Sequence, residues 1–197
     1  MAYERKDAFH QRAKREGFRS RAAYKLDEIQ REHRLLRPGD RVVDLGCWPG
    51  GWLQVASALV GPSGRVVGID LAEMDPLGLE NTIAFQGDLT DPGVAQRLLA
   101  ALGRPADVVL SDAAPKLTGI RATDRAREEA LLAAIESLVP LLLRRGGSLV
   151  AKLLEAPESQ AFANRLRARF AATRITKSQA TRKGSSEKYL IARDYSG

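Results

Sequence analysis

The stretch Arg41-Val-Val-Asp-Leu-Gly-Cys-Trp-Pro-Gly-Gly-Trp52 admits few folds. Val42, Val43 and Leu45 form the apolar, partly β-branched run of a parallel strand covered on both faces. Asp44 is expected at the carboxyl end of that strand. Gly46, Gly50 and Gly51 lack a Cβ, so the backbone there can turn tightly and approach a ligand closely. A helix follows, with Trp52, Leu53, Val55, Ala56 and Leu59 on its buried side. This is the strand–turn–helix unit of an open α/β sheet. In such sheets ligands bind in the crevice beyond the carboxyl ends of the strands.

The rest of the chain repeats the alternation. Strands are expected over 41–45, 65–70, 82–86, 107–112 and 148–152. Helices are expected over 20–33, 51–59, 94–102, 124–143 and 157–170. Ser20 is read as the N-cap of the first helix, and Gly146-Gly147 as the break before the fifth strand. Segments 172–175 and 187–192 read as a closing antiparallel pair. Strands alternating with helices imply a doubly wound α/β sheet with right-handed crossovers and helices on both faces. The length of 197 residues suits one domain over 20–197, preceded by a basic arm over 1–19.

The formal net charge is +7 and is unevenly placed. Arg5, Lys6, Arg12, Lys14, Arg15, Arg19, Arg21 and Lys25 crowd the N-terminal segment. Arg165, Arg167, Arg169, Arg174, Lys177, Arg182, Lys183 and Lys188 crowd the C-terminal one. Two basic ends around a near-neutral centre point to a polyanionic partner, with nucleic acid favoured over mere solvated helix faces. Cys47 is the only cysteine, which excludes an internal disulfide or a multi-cysteine zinc site. The longest apolar run, Leu131 to Leu143, is interrupted by Glu136 and Pro140 and reads as a buried helix, not a membrane span. The N-terminus is charged and has no apolar secretory core. A cytoplasmic protein without a membrane partner is the expectation.

Four acids, Asp44, Asp70, Asp88 and Asp112, fall at or just after expected strand ends, on the ligand rim. Alone, each is most simply a turn former or cap. Together on successive strands they favour a nucleoside ligand. Asp70, after the second strand, is placed to accept both ribose hydroxyls, and Asp88 to take an adenine amine. The turn does not match G-x-G-x-x-G, because Cys47-Trp48 replaces the middle glycine, and no Walker lysine follows Gly51. That counts against a nicotinamide-dependent oxidoreductase. It suits S-adenosylmethionine, which has no phosphate and lays its methionine end against the turn. Lys152 ends the fifth strand and is read either as a general base or as a snorkelling stem. A second lysine nearby would make it less basic. Lys25 alone reads as a solvated helix residue, and Glu187 alone as half of a surface ion pair. His10 and His33 are read as solvent-exposed.

These residues resemble the FtsJ/RrmJ family of RNA 2′-O-ribose methyltransferases, and within it the bacterial 23S ribosomal RNA type. The likeness runs from Phe18 to Tyr189. It is carried by Arg19-Ser-Arg-Ala-Ala-Tyr-Lys-Leu-Asp-Glu-Ile29, Val43-Asp-Leu-Gly-Cys-Trp-Pro-Gly-Gly-Trp52, Asp75-Pro76, Gln86-Gly-Asp88, Leu110-Ser-Asp-Ala-Ala-Pro115, Gly146-Gly-Ser-Leu-Val-Ala-Lys152 and Ser185-Ser-Glu-Lys-Tyr189. The resemblance implies a Rossmann-like methyltransferase fold, mostly parallel with an antiparallel C-terminal strand. It implies a catalytic tetrad of Lys25, Asp112, Lys152 and Glu187, and cofactor contacts at Gly50, Trp52, Asp70, Asp88 and Asp112. No metal is implied. The implied substrate is a uridine ribose of 23S ribosomal RNA in the 50S subunit, met by a monomer. Methylation of tRNA, or a non-catalytic role in ribosome assembly on the same fold, are the alternatives. The chain departs from the family pattern at Trp48, where relatives have a small residue. It departs again at Lys116 after Pro115, and over Leu153-Leu-Glu-Ala-Pro157.

Overall fold

Strand β1 (Arg41–Leu45) lies inside a seven-stranded sheet, flanked by β2 (Arg65–Asp70) and β4 (Ala106–Ser111). With β3 (Thr82–Gln86), β5 (Leu143–Leu153), β6 (Phe170–Thr176) and β7 (Lys188–Tyr195), the order is β3-β2-β1-β4-β5-β7-β6. Only β7 runs against its neighbours; it is antiparallel to both β5 and β6. The computed structural model describes residues 8–181 and 184–197. Arg5, Lys6, Arg182 and Lys183, counted above among the basic residues, lie outside that range, as does Tyr3.

Two helical layers cover the sheet. On one face lie α2 (Ala23–His33) and α3 (Gly51–Val60), packed on Val42, Val66, Val108 and Val150. On the other lie α4 (Val94–Leu102), α5 (Arg121–Leu142) and α6 (Pro157–Arg167), packed on Val43, Leu45, Val67, Ile69 and Val109. The alternation Val42-Val43 sends successive side chains to opposite cores, which is why the run is apolar on both faces. The short α1 (Ala8–Arg15) docks through Ala13 and Phe9 on Tyr24 and Ala180.

Several boundaries differ from expectation for physical reasons. The helix expected from Ser20 starts at Ala23, and Ala22 occupies its N-cap without a side-chain bond. Ser20 instead faces Gly51 at the start of α3, where any Cβ would meet its hydroxyl. The pair Gly146-Gly147 does not break the chain but lies inside β5, which begins at Leu143 and pairs with Ala106 before a register shift. Strands β6 and β7 extend to Phe170 and Tyr195, whose rings pack together at 5.1 Å. His33 is buried, not exposed, because it closes α2 against the protein body, and burial lowers its imidazole pKa.

No described helix is long and apolar enough to cross a membrane. The strand order turns back between β1 and β4. That switch point fixes where the ligand crevice opens.

Candidate active site

At the switch point the turn after β1 presses on the segment after β4. Gly46 has φ +83° and a Cβ there would stand 2.5 Å from the Ala113 Cβ. Gly50, with φ +108°, precedes α3, and a Cβ there would stand 3.0 Å from Met74 and Leu77. The turn is held by Cys47 N–H to the Ile69 carbonyl at 3.1 Å and Gly50 N–H to the Cys47 carbonyl at 2.7 Å. The first-turn amides of α3 point out of this turn, a natural place for a carboxylate.

Beside it opens a cavity of about 480 Å³ lined by Gly46, Asp70, Leu71, Asp88, Leu89, Pro115 and Leu131, among others. That volume falls within the usual range for small-ligand sites. Asp70 accepts the amides of Trp48 and Ala72, both at 2.9 Å, which fixes its carboxylate at the rim. Asp88 accepts the Thr90 amide and hydroxyl at 2.8 Å, and these bonds hold its pKa below the usual carboxylate value. Two fixed acids in a mostly apolar cavity suit the ribose and amine of an adenosine. The cavity therefore fits S-adenosylmethionine. Of the expected cofactor contacts, Asp70 and Asp88 are among its lining residues, and Gly50, Trp52 and Asp112 are not. The Trp52 side chain is turned inward, with its indole N–H on the Ala22 carbonyl at 2.8 Å, so toward a ligand it offers only backbone.

Asp44 is corrected by the structure. It lies within β1, fully buried, beside Gly68 and Leu110, and no described residue donates to either carboxylate oxygen. It belongs to the interior and not to the rim. Burial first, then the charges of Asp112 and Asp70, push its pKa far above the usual value.

The tetrad residues come from four separate parts of the fold. Lys25 lies in the first turn of α2, Asp112 one residue past β4, Lys152 near the end of β5, and Glu187 one residue before β7. They converge into a square of alternating charge. Lys25 Nζ is 3.1 Å from Glu187 Oε1 and 3.9 Å from Asp112 Oδ1. Lys152 Nζ is 3.3 Å from Asp112 Oδ1 and 3.9 Å from Glu187 Oε1. Lys152 also donates to the Asp112 backbone carbonyl. Burial would raise the Glu187 pKa, but the ammonium groups of Lys25 and Lys152 outweigh it and hold the carboxyl below its usual value. The Lys25 side chain is 6% exposed and that of Lys152 8%. Two positive and two negative groups let both lysines be desolvated without an unpaired buried charge.

Tyr189 was not singled out from sequence. Its hydroxyl donates to Asp112 Oδ1 at 2.8 Å, and its ring packs on Trp52 at 5.8 Å, tying the turn to the tetrad. Burial first, then Asp112, pushes its pKa well above the usual phenol value, so it is a permanent donor. Its position two residues after Glu187 was the available signal, since alternate residues of a strand share a face. Ser185, whose hydroxyl donates to Glu187 Oε2 at 3.1 Å, was equally unmarked.

A Rossmann-like sheet with a nucleoside-sized cavity at its switch point and a buried lysine–carboxylate square beside it defines a methyltransferase. Residues 18–195 match the FtsJ-like methyltransferase family, and the chain belongs to that family. It is 41% identical over 197 residues to the ribosomal RNA large subunit methyltransferase E of Methanothermobacter thermautotrophicus, spanning 100% of this chain and 93% of that protein. It is 43% identical over 191 residues to the protein of the same name from Syntrophobacter fumaroxidans, spanning 97% of this chain and 96% of that one. Among solved structures, a Plasmodium falciparum protein assigned as a ribosomal RNA methyltransferase superposes with TM-score 0.80 at 26% identity, covering 91% of this chain and 100% of that chain. Aeropyrum pernix fibrillarin, solved with natively bound S-adenosyl-L-methionine, shares the fold at TM-score 0.58 and 17% identity, over 80% of this chain and 68% of that one.

Proposed function

We propose that this protein methylates a ribose 2′-hydroxyl in RNA, using S-adenosylmethionine, and that its substrate is a uridine of 23S ribosomal RNA in the large ribosomal subunit. The observation that carries the reading is the alternating square of Lys25, Asp112, Lys152 and Glu187 beside a cavity that fits adenosine. The relatives named for the large-subunit RNA span nearly their whole length with this chain. On this reading the protein works in the cytoplasm, as a monomer.

When bound, S-adenosylmethionine supplies a methyl carbon on a sulfonium, already activated for displacement. The protein's own task is then alignment and proton handling. Asp70 and Asp88 grip the nucleoside end, and the α3 amides after Gly50 receive the methionine carboxylate. Lys152 holds the 2′-oxygen: as the free amine it takes the hydroxyl proton, and as the ammonium of the square it steers the oxygen lone pair toward the methyl carbon while the proton leaves to solvent. Asp112 fixes the Lys152 amine through both its carboxylate and its carbonyl. Glu187 and Lys25 close the square, so that Lys152 is oriented and its charge is balanced.

The test is labelled methyl transfer to 50S subunits, free 23S RNA and tRNA side by side. Incorporation on 50S subunits is expected. Lys152→Ala and Asp112→Ala should each lower kcat by roughly a hundredfold or more, the usual scale of a lost acid–base group. Full methylation by both variants would overturn the mechanism, and transfer confined to tRNA would overturn the substrate.

A further inference from the structure

Among the described residues, Trp48 is the one aromatic side chain that is mostly in solvent, at 57% exposure. Its backbone is nevertheless pinned. Its amide donates to Asp70, and the carbonyl of the preceding Cys47 accepts from Gly50. The turn that carries it touches both halves of the site. Gly46 abuts Ala113, next to Asp112, and Trp52 packs on Tyr189, which holds Asp112. A rigid backbone therefore presents an indole to water between the cofactor acid and the tetrad.

The exposure has company at one edge of the molecule. Leu71, Leu117 and Ile120 are also more than half exposed, and they follow β2 and β4 at the same carboxyl edge of the sheet. Trp48 does not line the cavity between Asp70 and Asp88, whose walls come from Leu71, Leu89, Pro115 and Leu131. The indole is thus free of the cofactor's adenosine end. Lys116 and Arg127 at the mouth of that cavity supply positive charge for a phosphate backbone.

Taking the RNA methyltransferase reading as given, we propose that Trp48 is a stacking platform for a nucleobase of the substrate strand. Single-stranded RNA is held chiefly by aromatic stacking and backbone charge, because every base offers a π-face. A platform on a pinned backbone loses little freedom on binding. Stacking beside the tetrad holds the strand equally in ground and transition state, so it acts on RNA binding and not on the chemical step.

The experiment compares wild type, Trp48→Ala and Trp48→Phe by steady-state methylation, by calorimetry with S-adenosylmethionine, and by fluorescence with a single-stranded RNA oligonucleotide. Trp48→Ala should raise KM for RNA about tenfold, in line with one lost stacking contact, with kcat and cofactor affinity within twofold. Trp48→Phe should restore most of that loss. RNA should quench wild-type emission, and the quench should vanish in Trp48→Phe, where the buried Trp52 still reports folding. An unchanged KM for RNA in Trp48→Ala overturns the proposal, and so does a loss of cofactor affinity in place of RNA affinity. If wild type methylates no RNA at all, the functional reading fails separately. The quench then decides stacking alone: lost in Trp48→Phe it stands, retained it falls.

Discussion

Tyr189 and Asp44 show how single side chains set the chemistry of this edge. The Tyr189 hydroxyl is the neutral donor that fixes Asp112 from outside the charged square. Tyr189→Phe keeps the ring on Trp52 and removes only that bond. Its stability cost should be about 1 kcal/mol, while kcat should fall several-fold with KM for cofactor unchanged. An unchanged kcat would remove Tyr189 from the positioning set. Asp44 is raised well above its unfolded value by burial. It is protonated in the fold over a range where the unfolded chain has lost that proton. Folding then takes up a proton, so stability falls as pH rises from about 4 toward the folded pKa. The penalty is about 1.4 kcal/mol for each unit of elevation. Asp44→Asn cannot ionise, so its urea midpoint should gain on wild type as pH rises above about 4 and converge with it near pH 4. Parallel pH profiles would mean that Asp44 stays charged. In sequence, Asp44 and Asp70 look alike, since each is an acid late in a strand. Only the fold reveals that Asp44 lies inside β1 and is fully buried, whereas Asp70 is the last residue of β2 and reaches the rim. Lys25 and Glu187 were ambiguous for a related reason. They lie 162 residues apart, and no local pattern encodes that contact; the family resemblance did.

At the scale of elements, the β1–turn–α3 unit was legible because each of its residues has a local reason. The run Val42-Val43-Leu45 needs two covered faces, and Gly46 and Gly50 both adopt positive φ. Gly46→Ala would combine that strain with the Ala113 clash, and should cost about 2–4 kcal/mol and cripple cofactor binding. Gly103 is the control. Its φ of +84° is nearly the same, but nothing lies within 4 Å of a Cβ there. Gly103→Ala should cost about 1 kcal/mol and leave activity intact. Equal urea midpoints for the two variants would mean that the turn yields and Ala113 gives way. What was not legible is the order of the far edge. Periodicity marks β6 and β7 as strands but not that β7 inserts between β5 and β6, because pairing at that edge depends on which strand covers the β5 backbone. The Gly146-Gly147 pair misled for a similar reason: a glycine pair usually marks a turn, yet here it falls in the register shift between the Leu143 and Ser148 pairings, inside β5.

Across the whole molecule, helix α1 brings part of the N-terminal charge beside the stretch after β6, while Arg165 and Arg167 lie on α6 against the opposite face of the sheet. Helix α1 is anchored by Ala13 against Tyr24 and Ala180, so the N-terminal cations lie against the segment that follows β6. That segment leads directly to Glu187, and α2 behind it carries Lys25. Not every cation there is available. Arg12 is spent on Glu16 at 2.8 Å and on the Tyr24 ring, and Lys177 on the Ser185 carbonyl at 3.0 Å. Lys14 and Arg15 are exposed on α1. If they contact phosphates, each contact releases counterions, and log KM for RNA should rise with log salt by about 0.7 per contact on a single strand. The double variant Lys14→Ala, Arg15→Ala should then weaken every RNA tested to a similar degree, flatten that slope by up to about 1.4, and leave kcat unchanged. Arg12→Ala should behave differently, because its pair and ring contact fasten α1 to α2. Its loss should lower protection of the α1 amides in hydrogen exchange more than it changes the salt slope. A double variant with the wild-type slope would place the RNA elsewhere, and the side of the tetrad formed by Lys116 and Arg127 would be the next surface to neutralise.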